Sequence, residues 1–151
     1  VLKTIWKLSP LIAIFALSAC NSGSGTTPGT LGTLALSIES SQISVGGSPT
    51  TVTATLTGVQ QGTNPLGPIT IEFQVMTTDY KSSNIATVTA ETTPASGVAA
   101  CTAVATSIAN QYTCSAQLTG VSVGNGVIWV EASANNAYLL TPNYIGFSVI
   151  Q

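Results

Sequence analysis

The sequence predicts an all-β sandwich of about seven to nine antiparallel strands. Three observations predict it. Apolar residues recur with period two from Leu34 to the end of the chain. Clusters of Gly, Pro, Asn and Ser break that alternation into short runs. Beyond residue 20 the chain is rich in Thr, Ser, Val, Ala and Gly, with little of the Leu, Glu, Lys and Arg that build helices. A jelly roll or another two-sheet fold meets the same three observations.

The first twenty residues have a different character. Lys3 and Lys7 give a basic start, and Leu8 to Ala19 is apolar except for Ser9, Pro10 and Ser18. This stretch is too short for a ~30 Å hydrocarbon core, which takes about 20 helical residues. It suits a secretory signal, whose apolar part runs about 7–15 residues. Asn21 to Gly32, NSGSGTTPGTLG, has no apolar period. It reads as a flexible tether reaching roughly 20 Å. The division is therefore 1–19 leader, 20–32 linker and 33–151 domain.

Within the domain, Leu34, Leu36 and Ile38 alternate with Ala35, Ser37 and Glu39. Ile43 and Val45 follow, and Gly46-Gly47-Ser48-Pro49 is a turn. Val52, Ala54 and Leu56 alternate with threonines, as expected of a strand with one face buried and one wet. Gly58 to Pro68 is a loop. Ile69, Ile71, Phe73 and Val75 mark the clearest strand. Thr77 to Asn84 is polar, Ile85 to Glu91 is a short strand, and Thr92 to Gly97, with Pro94, is a turn. Val98 to Thr106 and Gln111 to Leu118 read as two arms of one hairpin around Ser107 to Asn110. Val127 to Ala134 and Tyr144 to Ile150 complete the set.

Charge narrows the function. The whole chain has three Lys or Arg, all lysines, five Asp or Glu, and no His. Beyond residue 19, Lys81 alone faces Glu39, Glu72, Asp79, Glu91 and Glu131, a net charge of −4. Nucleic-acid binding draws its affinity from Lys and Arg on phosphates, and one lysine does not build such a surface. The commonest general base and metal ligand is His, which is absent. The hydroxyls have no base to activate them. The expectation is no enzyme, no cofactor and no metal; Asp79 with Glu72 is a weak pair for a cation.

Leu17-Ser18-Ala19-Cys20 resembles the lipobox of bacterial lipoproteins. The resemblance implies cleavage before Cys20 and lipid on its sulfur; an ordinary secretory signal is the alternative. Two or more acyl chains anchor stably where one does not. Asn21, where Asp would favour the inner membrane, implies the outer membrane of the cell envelope. LALSIESSQISVGGSP at 34–49, followed by TTVTATLT, resembles the opening of bacterial immunoglobulin-like domains, and YIGFSVI resembles their closing strand. That likeness implies an immunoglobulin-like β-sandwich preceded by a cleaved leader and a linker.

Cys101 and Cys114 are then a matched pair in an exported domain, where disulfides persist. Opposed on the expected hairpin, they fall within bridging range. Tyr112-Thr113-Cys114 imitates the Tyr-x-Cys of antibody domains, but Cys101 is too near a neighbour for the antibody pairing.

Trp129 is set apart from Ile128, Val130, Ala132 and Ala134, which alternate with it and should face inward. It shares the other face with Glu131 and Ser133. An exposed Trp anchors partners or stacks on sugars; a covering loop is the plain alternative. Tyr80, Tyr138 and Tyr144 lie in or beside loops and could extend that surface. The expected function is a lipid-anchored, non-catalytic contact domain, for adhesion or envelope assembly with another envelope or host-surface protein. A carbohydrate-binding module is the alternative.

Overall fold

The alternation becomes eleven strands in a computed structural model that describes residues 27–95, 97–135, 137 and 142–151. The leader, Cys20 and Tyr138 lie outside the described residues. The strands are β1 (Thr33–Ile38), β2 (Gln42–Ser44), β3 (Thr50–Thr57), β4 (Thr70–Met76), β5 (Ala86–Thr89), β6 (Thr92–Ala95), β7 (Val98–Thr102), β8 (Val104–Ala105), β9 (Gln111–Gly120), β10 (Gly124–Ser133) and β11 (Asn143–Ile150). There is no helix among the described residues.

One sheet has the order β1-β3-β9-β5, with β8 also on β9; the other has the order β2-β11-β10-β4-β7-β6. This is the immunoglobulin arrangement, in which an A-B-E-D sheet faces a G-F-C sheet. The opening segment is divided between the sheets. β1 runs antiparallel to β3, and β2 runs parallel to β11. The crossing is held by three hydrogen bonds: Glu39 N donates to Thr51 O, Thr51 N to Glu39 Oε2 and Ser40 N to Thr50 Oγ1. That last bond satisfies the hydroxyl of Thr50, the buried polar residue of the core. The β6–β7 hairpin extends the second sheet beyond β4.

Period two decides the core. In β3, Val52, Ala54 and Leu56 are fully buried while the threonines between them are not. Ile71, Phe73, Leu118, Ile128 and Val130 meet them from the other strands, each at 0% exposure. No buried side-chain polar atom among the described residues lacks a partner.

Three expectations are corrected. Thr92 to Gly97 is not wholly a turn. Thr92–Ala95 is an edge strand antiparallel to β7, the sheet position where Pro94 is tolerated. The second correction concerns Val98 to Thr106 and Gln111 to Leu118, which do not form one hairpin. β7 pairs with β4, and the chain changes sheets at Ala103, whose N–H donates to Ile69 O. Only Val104 and Ala105 pair with β9, opposite Thr113 and Tyr112. Extended, that register would set Ala116, not Cys114, against Cys101. The disulfide Cys101–Cys114 is present, with 6.3 Å between Cα atoms. It joins the inward faces of the two sheets, not neighbours on one.

The third correction is the end of the linker. Residues 27–32 run along the 58–66 loop. Thr30 and Gln60 exchange backbone hydrogen bonds of 2.9 Å each, Thr63 N donates to Thr27 O, and Leu31 is 1% exposed against the core. Leu31 is the lone large apolar residue of the segment, and burying it outweighs the segment's polar composition. The approach depends on Gly62, where a Cβ would lie 2.0 Å from Thr27 O.

Candidate functional site

The outer face of the six-stranded sheet carries the aromatic residues singled out in the sequence. On β10, Ile128, Val130 and Ala132 point into the core. Trp129 therefore points outward, where it is half-buried. Its register partners are Tyr144 on β11 and Gln74 on β4. Tyr80 arrives from the turn after β4. Its ring lies 5.7 Å from Trp129 and 5.4 Å from Tyr144, at interplanar angles of 76° and 75°. Edge-to-face geometry sets a positive ring edge on a negative ring face. Tyr80 and Tyr144 remain 47% and 52% exposed.

The turn that presents Tyr80 is tightly bonded. Thr77 Oγ1 donates to Asp79 Oδ1 and accepts from Lys81 N. Thr77 N donates to Lys81 O, and Tyr80 N donates to Thr77 O. Lys81 Nζ sits 3.0 Å from Asp79 Oδ2. The hydroxyl of Thr77, then Lys81, hold the Asp79 carboxyl below its ordinary range. Tyr80 adopts a left-handed backbone, φ 60°. Its hydroxyl is raised above the ordinary tyrosine value, first by hydrogen bonding with Tyr144 and then by burial.

Beside Trp129 lies a small cup of about 70 Å³, lined by Glu72, Gln74, Val98, Trp129 and Glu131. Glu72 and Glu131 are direct cross-strand partners. Two carboxylates opposite each other repel, so this spot favours an incoming cation or hydrogen-bond donor. The other side of the face opens into a shallow groove of about 430 Å³ along Val127, Gly146 and Ser148. Gly146 has nothing within 4 Å of where a Cβ would stand, so the groove is free of a side chain there.

Trp129, Tyr80 and Tyr144 are thus brought together. Asp79 is hydrogen-bonded by Thr77 and ion-paired with Lys81. Among the described residues no cluster of three or more His, Cys, Asp or Glu could hold a metal. Sequence reading missed Gln74 and the Glu72–Glu131 pair as neighbours of Trp129. The strand alternation carried that signal, because Glu72, Gln74, Trp129 and Glu131 all occupy outward positions.

No family model matches the sequence, and no curated protein matches it. Among solved structures, the chain is similar to the E. coli chaperone DraB, with 15% identity over 78% of this chain and 54% of that one, TM-score 0.45. It is similar to the periplasmic chaperone SfaE, with 8% identity over 76% and 56%, TM-score 0.40. It is also similar to a Salmonella enterica complex of SafA pilin with the SafB chaperone, with 13% identity over 80% and 54%, TM-score 0.41. The chain spans a little over half the length of each of these chains.

Proposed function

We propose that this is a non-catalytic contact domain, held on the bacterial cell envelope by lipid on Cys20, that binds a partner protein through the outer face of its six-stranded sheet. The observation that carries the reading is the outward-facing Tyr80–Trp129–Tyr144 cluster, its two tyrosines exposed, beside the Glu72–Glu131 pair. Trp and Tyr dominate binding hot spots because they cover large area at little conformational cost. A Lys or Arg of the partner fits the cup. It would meet two carboxylates and the face of Trp129, an arrangement that favours a cation over a neutral group.

A photo-reactive amino acid at Gln74 tests this in intact cells, with Thr53 on the opposite sheet as control. A discrete protein adduct is expected from position 74 and none from 53. Trp129→Ala should abolish the adduct and weaken binding to the purified partner by about tenfold or more. Equal adducts from both positions would remove the face from consideration.

A carbohydrate reading is favoured by one observation: Glu72, Gln74 and Glu131 offer planar hydrogen-bonding groups next to an aromatic ring. Glycan-array binding lost in Trp129→Ala, without any protein adduct, selects it.

A further inference from the structure

We infer that one pole of the sandwich, formed by residues 27–31, the 58–68 loop and the 106–110 turn, is the surface that rests on the lipid bilayer. The inference builds on the lipidation of Cys20 proposed above. Its argument is where the chain leaves the domain and what stands there.

Thr27 is fixed at this pole. The mutual Thr30–Gln60 bonds, the Thr63–Thr27 bond and buried Leu31 hold the segment against the 58–66 loop. The 106–110 turn belongs to the same pole, since Val59 N donates to Asn110 O. Six residues, 21–26, separate Thr27 from Cys20. Six residues of any conformation reach at most about 21 Å. The ten residues of β9 run from this pole to the other over about 33 Å. The opposite pole, with the 121–123 turn, is out of the lipid's reach.

Chemistry separates an upright domain from one lying on its side. The three segments of the pole contain no Asp, Glu or Lys. They present amides and hydroxyls, with Pro65, Pro68 and an Ile108 that is 58% exposed. Such a surface meets headgroups without repulsion. Lying on the aromatic face would press Glu72 and Glu131 towards a surface that is negative in anionic membranes. The domain therefore stands on the pole whose three segments carry no charge, the Glu91 carboxylate at its rim being held by Thr102 N, with the aromatic face upright and open to a partner.

The test uses the full lipidated chain in vesicles of phosphatidylethanolamine and phosphatidylglycerol carrying a nitroxide on the headgroup. Trp129 is the one tryptophan after residue 19, so it reports on the face directly. Ile108→Trp and Val123→Trp, each with Trp129→Phe, report on the two poles; Val123 is 58% exposed in the far turn. Fluorescence quenching at position 108 should exceed that at 129 and at 123 several-fold. Inserting a long Gly/Ser segment after Gly25 should reduce it. Flotation with the vesicles, and the mass of the N-terminal peptide, report the lipid. A protein that does not float overturns the lipidation and this inference with it. A protein that floats but is quenched equally at all three positions, or most at 129 or 123, overturns the orientation alone.

Discussion

Tyr80 is the residue on which the aromatic face turns. A left-handed backbone is uncommon for a bulky side chain and persists where surrounding bonds fix it. Thr77, Asp79 and Lys81 supply those bonds. Trp129 and Tyr144 were legible in the sequence as outward or loop aromatics. Tyr80 was legible as a loop residue that could extend the same surface, but its ring contacts with both were not, because they depend on one turn's hydrogen bonds and one positive φ. Tyr80 should ionise above the ordinary value of about 10, and Tyr144→Phe should bring it back down, as read by ultraviolet titration of the phenolate. The sign follows. A folded pKa above the unfolded one adds stability that is fully present below the unfolded value. That stability is lost as pH rises through the folded value. Asp79 behaves oppositely: its depressed carboxyl supports the turn at neutral pH and ceases to as pH falls through the folded value.

At the scale of elements, most strands were legible, Thr92–Ala95 excepted, and their sheets were not. Inward alternation looks the same whichever sheet a strand joins. Cys101 and Cys114 could therefore be paired from composition and compartment, while their route was misplaced. The detour of β6 and β7 begins where β5 leaves β9 and ends where β8 rejoins it. The disulfide closes that detour, joining residues 13 apart in sequence. Replacing both cysteines by Ala should cost about 3 kcal/mol, a fall in melting temperature of roughly 10 °C by calorimetry. Trp129, Tyr144, Glu72 and Glu131 lie on strands that carry neither cysteine, and of the cup's lining Val98 alone shares β7 with Cys101, so the proposed partner binding should survive below that temperature. The docked segment 27–31 gives a second prediction. Gly62→Val should drive it off the 58–66 loop, because the added Cβ would collide with backbone. Hydrogen exchange should then lose protection at Thr30 and Gln60 while β10 and β11 keep theirs.

The described residues form one core between two sheets, and that much followed from the alternation alone. The domain's beginning did not, because the segment's Gly, Ser, Thr and Pro outnumber one decisive leucine. A shared core implies shared unfolding. Phe73→Ala, at 0% exposure between the sheets, should cost about 3–5 kcal/mol. Trp129 fluorescence, on one sheet, and the Thr53 amide, on the other, should report the same transition.

The division of the opening segment between the sheets has a mechanical consequence. A pull applied at Thr27 and at Ile150 acts from opposite poles. It draws β2 down while it draws β11 up. Their parallel pairing, Ser148 with Gln42, Val149 with Ile43 and Ile150 with Ser44, then slides lengthwise. Hydrogen bonds loaded in this way share the force and yield together, where a peeled edge would yield one bond at a time.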